Sequence, residues 1–170
     1  MTLSVGDTIP SGTFSYIPYS PELDSPNACG IPIKLNTDEW KGKKIVLFGL
    51  PGAFTKSCSA NHLPSFIEKA NEIKAKGVSE IYCLATNDPY VMSGWGRYNK
   101  SADKVQLISD ADLKWLKPAG LTIDLTSHGL GVRSNRFALI IDDLKVAYIG
   151  VEASAGEVSV SGAGAVLPKL

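Results

Sequence analysis

The sequence predicts an α/β fold: a mixed central sheet flanked by helices, with an N-terminal β-hairpin. Three observations carry this. Residues 45–50 (Ile45-Val46-Leu47-Phe48-Gly49-Leu50) are an unbroken apolar run closed by Pro51-Gly52, which reads as a strand buried on both faces. Residues 59–76 place Leu63, Phe66, Ile67, Ala70 and Ile73 at helical spacing, and a second apolar run follows at 81–86. Strand, helix and strand at this spacing make a parallel βαβ unit. Finally, 136–141 and 145–151 are strand-like runs joined by Asp142-Asp143-Leu144, which reads as an antiparallel hairpin at one edge of the sheet.

The remaining elements follow in order. Residues 1–36 are rich in Pro, Gly, Ser and Asp, with β-like pieces such as Thr13-Phe14-Ser15-Tyr16-Ile17. They read as an N-terminal hairpin or pair of short strands followed by a loop that carries Cys29. Asn36 or Thr37 can cap a short helix through Trp40. Gly77, after Lys74 and Lys76, stands where a helix-ending glycine belongs. Residues 90–98 read as a helix, 105–110 as a strand, 113–118 as a short helix and 120–131 as a glycine-punctuated loop. The tail alternates at Val158 and Val160 and ends in a helix weakened by Gly162 and Gly164. With no repeat, linker or low-complexity stretch to divide it, the chain is expected to form one domain over residues 1–170.

Composition narrows the function classes. The 170 residues are 44% hydrophobic and 20% charged, with seventeen basic and seventeen acidic side chains that cancel. Zero net charge gives no support for a nucleic-acid footprint or for adsorption to an acidic membrane. No apolar stretch reaches bilayer-spanning length, and the N-terminus lacks the basic and apolar segments of a secretory signal. Three cysteines in a chain this long do not describe a secreted disulfide scaffold. Reduced thiols in the cytosol are the expectation. Pro168-Lys169-Leu170 resembles a peroxisomal Ser-Lys-Leu tail, with proline in place of the small first residue.

The thiols carry the chemistry. A metal site is not expected, because Cys29, Cys58, Cys83, His62 and His128 form neither a Cys-x-x-Cys nor a His-x-x-x-His pair. Cys58 and His62 do lie four apart on one helical face. A free cysteine is most often a small buried apolar residue, but three features favour a reactive Cys58. It falls at the start of a helix, where unpaired N–H groups favour a thiolate. Lys56 adds positive potential. Thr55, three residues earlier, has a hydroxyl that can cap the helix or bind an oxygen beside the sulfur. Cys83, inside an apolar strand, reads as inert core. Cys29, between turn residues, reads as accessible, and a second thiol able to reach a sulfenic acid is what a disulfide-forming redox cycle needs. His62 reads as a residue of the helix surface or loop side, and His128 as a loop residue.

Pro51-Gly52-Ala53-Phe54-Thr55-Lys56-Ser57-Cys58 resembles the active-site loop of peroxiredoxins, Pro-x-x-x-Thr/Ser-x-x-Cys. The likeness extends to the branch of plant type II, human type 5 and fungal alkyl-hydroperoxide-reducing members. It rests on Asn61-His62-Leu63-Pro64, Lys76-Gly77-Val78, Asn87-Asp88-Pro89-Tyr90-Val91-Met92 and the run from Gly131 to Leu139. The resemblance implies a thioredoxin-like fold and a thiol-dependent peroxidase that reduces H2O2 and organic hydroperoxides without metal or organic cofactor. It implies that Cys58 is the peroxidatic cysteine, Thr55 holds the peroxide, Pro51 shields the thiolate, and Arg136 sits beside the sulfur. Arg133 competes for that last role, but its spacing from the strand does not fit. A guanidinium stabilises a thiolate and polarises an O–O bond without giving up its own proton. Lys56-Ser57 departs from the Thr-Pro-Thr-Cys of many relatives and removes a proline that preorganises the helix start.

For the resolving cysteine the resemblance points two ways. Cys29 matches the N-terminal cysteine that fungal members pair with the other subunit's peroxidatic cysteine, and Cys83 matches the second cysteine of the plant type. A loop thiol can travel to a sulfenic acid, whereas a strand thiol requires local unfolding, so Cys29 is the expectation. The resemblance further implies a homodimer through the face near Trp95 and Thr55, and thioredoxin or glutaredoxin as reductant. The competing readings are a thiol–disulfide exchanger, disfavoured by the lack of Cys-x-x-Cys, and a non-enzymatic redox sensor or holdase.

Overall fold

In the computed structural model, which describes residues 2–170, the expected mixed sheet is present. Strands β1 (Thr13–Tyr16) and β2 (Ile33–Asn36) pair antiparallel as the N-terminal hairpin. β3 (Lys44–Gly49), helix α1 (Leu63–Ala75) and β4 (Glu80–Ala85) form the parallel βαβ unit. Helix α2 (Pro89–Tyr98) is capped by Asp88, whose carboxylate accepts the N–H groups of Tyr90 and Val91, and leads to β5 (Gln106–Ser109), parallel to β4. β6 (Thr122–Asp124) and β7 (Val132–Ser134) stand apart as a small hairpin. β8 (Phe137–Asp142) and β9 (Lys145–Val151) are the antiparallel edge, and α3 (Ala163–Val166) closes the tail. The seven-stranded order is β2-β1-β5-β4-β3-β8-β9.

Several expectations are corrected. The N-terminal loop joins β1 to β2 rather than following both, so Cys29 lies in a hairpin connection. Residues 113–118 form turns, not a helix: Leu113 has φ 59°, and the Asp110 carboxylate takes the N–H groups of Lys114, Trp115 and Leu116 at 2.8–3.0 Å. The glycine-punctuated stretch contains β6 and a turn at Thr126–His128, where Gly129 and Gly131 supply the left-handed backbone that returns the chain toward β7. The alternating Val158 and Val160 lie in irregular backbone with a bend at Val160. Helix 59–76 is interrupted at its start by a π-turn, Cys58–His62, in which Leu63 N–H bonds Cys58 O. Gly77 does end α1, with φ 87° and its N–H on Lys74 O.

Because β3 is apolar from Ile45 onward and β8 from Phe137 to Ile141, alternate residues feed opposite faces of the sheet. Val46, Phe48, Ile81, Cys83, Ala138 and Ile140 pack under all three helices, against Leu63, Phe66, Trp95 and Val166. Ile45, Leu47, Leu84, Leu139 and Ile141 face the other way, where Phe14, Trp40 and Trp115 cover them. β3 and β8 run antiparallel from Lys44↔Asp142 to Gly49↔Phe137. That last pair requires a glycine, since a Cβ at Gly49 would lie 2.1 Å from the Phe137 ring. Gly49→Ala is therefore expected to destabilise the fold by about 1–3 kcal/mol through overpacking, measured by denaturant unfolding; an unchanged midpoint would show that the ring yields freely.

Candidate active site

The β3–β8 ladder ends at Gly49↔Phe137, so the loop leaving β3 and the residue entering β8 emerge side by side. The loop is residues 50–57 and the residue is Arg136. Helical winding begins at Lys56, and Cys58 is in its first turn. Its Sγ is fully buried and accepts from Arg136 Nη2 at 3.3 Å. Above it lies a cleft of about 300 Å³ lined by Pro51, Thr55, Lys56, Leu125, His128 and Arg136, among others. Thr55 does not cap the helix: its hydroxyl donates to Gly52 O at 2.8 Å, which leaves the oxygen lone pairs free to accept.

Arg136 is 1% exposed and, among the described residues, has no carboxylate partner. Nε and Nη2 donate to Ala155 O, at 3.0 and 2.6 Å, and Nη1 donates to His62 Nδ1 at 3.0 Å. Since a guanidinium only donates, Nδ1 must be the acceptor, and the imidazole proton sits on Nε2, donated to Ser161 O at 2.9 Å. Burial pushes the His62 pKa down to about 4; the Ser161 carbonyl opposes the shift and the Arg136 charge adds to it. His62 is thus a neutral, buried partner of the guanidinium, not the surface or loop-side residue its sequence context suggests. The one available signal was its position four residues after Cys58, one turn along the same face.

The loop itself is tied down from two directions. Asn87 Oδ1 accepts Ala53 N–H at 2.8 Å, and Arg133 Nη1 donates to Pro51 O at 3.3 Å. Arg133 therefore shapes the loop while Arg136 meets the sulfur. Phe54, with φ 60°, holds its ring out beside Trp95 and Tyr98.

Comparison with known proteins places this geometry. The redoxin family model matches residues 4–167. The chain is 46% identical to a putative peroxiredoxin of Malassezia furfur, over 98% of this chain and 99% of that one. It is 44% identical to Peroxiredoxin-2B of Arabidopsis thaliana, over 99% and 98%. The chain belongs to the peroxiredoxins, within the redoxin family. A crystal structure of reduced Prx3 in complex with H2O2 from Vibrio vulnificus superposes with a TM-score of 0.84 at 34% identity, covering 98% of this chain and 95% of that one. The fold is thioredoxin-like, as expected.

In this peroxiredoxin the three thiols occupy contrasting settings. Cys83 is fully buried on β4, opposite Phe48, and burial pushes its pKa well up; the nearby Cys58 adds to the shift and Arg136 opposes it. Cys29 is exposed. Its loop is anchored to α2 by Arg97, whose Nη1 donates to the carbonyls of Leu23 and Ala28. His128 is a loop residue, as read, but it also lines the cleft above Cys58.

Neutral His62 makes stability depend on pH. Its folded pKa of about 4 lies below the unfolded value near 6.5, so the unfolded chain binds a proton in that window and the folded one does not. The contribution is complete above about pH 6.5 and is lost as pH falls towards 4, a loss of about 3 kcal/mol. Unfolding free energies measured across this range should fall accordingly, with a much flatter profile for His62→Gln. Matching slopes for the two proteins would show that another group carries the effect.

Proposed function

We propose that Cys58 is the peroxidatic nucleophile of this thiol-dependent peroxidase, and that Pro51, Thr55 and Arg136 complete its site. One observation carries the reading: the Cys58 sulfur is buried under a small cleft and bonded by a guanidinium that has no carboxylate partner. A permanent buried cation needs a compensating negative group, and a Cys58 thiolate would supply it.

The chemistry balances on these groups. The thiolate attacks the terminal oxygen of a hydroperoxide, an S–O bond forms, the O–O bond breaks, and the alcohol or water leaves with a proton. Thr55 Oγ1, already donating to Gly52 O, accepts the peroxide hydrogen and orients the O–O axis. Arg136 stabilises charge on both the thiolate and the departing oxygen. Pro51, fully inside the loop, keeps water from the sulfur. Leu125 and Leu130 in the cleft wall supply apolar contact for the organic part of an alkyl hydroperoxide.

The sulfenic acid then condenses with a second thiol, releasing water and forming a disulfide, which a dithiol donor of the thioredoxin or glutaredoxin class reduces. Cys29 is assigned as that thiol because it is exposed on a loop, whereas Cys83 would have to leave a central strand. We assign the pairing to two subunits of a homodimer, joined through the face on which Phe54 (59% exposed) and Tyr98 (75% exposed) stand beside Trp95. The assigned compartment is the cytosol, whose reducing pool keeps the three cysteines free.

Two measurements test this. Cys58→Ser should abolish peroxide consumption; equal rates in variant and wild type would leave Cys58 as a switch at most and remove the peroxidase reading. After treatment with peroxide, wild-type protein should run as a disulfide-linked dimer on a non-reducing gel and Cys29→Ser should not. A dimer band persisting in Cys29→Ser would show that Cys29 is not the resolving thiol.

A further inference from the structure

Arg136 is gripped from two sides by one loop, residues 152–161. Ala155 O receives Nε and Nη2 directly, while Ser161 O receives Nε2–H of His62, whose Nδ1 receives Nη1. The loop consists of bends and turns, with no strand ladder to define where those two carbonyls lie.

Glu152 supplies the missing constraint. Its carboxylate, 4% exposed, accepts from Ser159 N (2.6 Å), Ser159 Oγ (2.8 Å), Val160 N (2.8 Å), Ser161 N (2.8 Å) and Ser161 Oγ (2.7 Å). Burial works to raise its pKa, but the bonds from Ser161 and Ser159 overcome this and hold it at about 2, so the group is anionic under all ordinary conditions. The Glu152 N–H also donates to Arg136 O at 2.9 Å, joining the loop base to the arginine's own backbone. Tyr148 donates to Val160 O, and Gly150 leaves room for that carbonyl, which a Cβ would approach to 2.3 Å.

We propose that Glu152 is a positioning residue for the peroxidatic centre: an anionic staple that fixes loop 152–161 so that the Ala155 and Ser161 carbonyls, the latter through His62, aim Arg136 at the Cys58 sulfur. Glu152 itself touches neither thiol nor peroxide. Its carboxylate organises five N–H and O–H groups, and the loop transmits that order to the guanidinium across residues that share no sequence proximity with Cys58. The inference rests on the reading of Cys58 and Arg136 given above.

The test is Glu152→Gln, which keeps the shape but turns a donor toward a nest of donors. Two Cys58 reactions are compared, each on the high-pH plateau of its rate where the thiol is fully ionised: with peroxide, whose O–O bond the guanidinium must polarise, and with iodoacetamide, whose leaving group it does not serve. The peroxide rate should fall about tenfold and the alkylation rate by no more than about twofold. In a His62→Gln background, where one of the two links is already cut, the further loss in peroxide rate should be smaller than in wild type. Ser159→Ala, which removes only the Ser159 hydroxyl bond, gives a milder version of the same divergence and keeps the test open if Glu152→Gln does not fold. Unchanged peroxide rates, or equal losses in both reactions, would overturn the proposal by reducing Glu152 to a purely structural group. Peroxide consumption by Cys58→Ser would instead overturn the underlying reading, whatever Glu152→Gln does.

Discussion

A buried arginine with no carboxylate partner is the constraint around which this peroxiredoxin is arranged. Arg136 cannot be neutralised by deprotonation, and at 1% exposure it has little water to solvate it. Its donors are met by a backbone carbonyl, an imidazole nitrogen and a sulfur. Carbonyl and imidazole supply dipoles; in the proposed function the sulfur carries the balancing charge, and the same guanidinium serves a transition state with charge spread over sulfur and oxygen.

The sheet delivers that arrangement. Antiparallel pairing of β3 with β8 ends at Gly49↔Phe137, so the loop carrying Cys58 and the entry to β8 are neighbours however far apart they lie in sequence. Register also distinguishes the two arginines. Arg136 directly precedes β8 and reaches the sulfur, whereas Arg133 belongs to β7 and reaches the carbonyls of Leu130 and Pro51. The close approach at Gly49 shows how little slack this junction has. The π-turn at Cys58–His62 has a corresponding effect on the helix side: thiol and imidazole both end up buried against the same guanidinium.

The elements that were legible in the sequence are those whose signal is local. Ile45–Gly49 of β3 and Phe137–Ile141 of β8 are apolar without interruption, α1 has helical spacing, and Gly77 ends it as a left-handed residue. The misread stretches are those where a side chain or a distant partner overrides local pattern. Asp110 takes three N–H groups and keeps 113–118 as turns. The alternation of Val158 and Val160 gave no hint that the backbone of that segment donates to the Glu152 carboxylate. His62 looked like a surface or loop-side residue because nothing nearby in sequence names Arg136 and Ser161 as its partners.

By itself, then, the sequence determined the α/β class, the strand–loop–helix that carries Pro51, Thr55 and Cys58, and the family likeness written into that loop. These follow from periodicity, turn residues and spacing within a few positions of one another. The likeness also implied Arg136 beside the sulfur; tertiary structure alone decided what braces it there. His62, Ala155 and Ser161 converge on the guanidinium through strand register and the 152–161 loop, and apart from the four-residue spacing of Cys58 and His62 these contacts join residues too far apart in the chain to leave a local pattern.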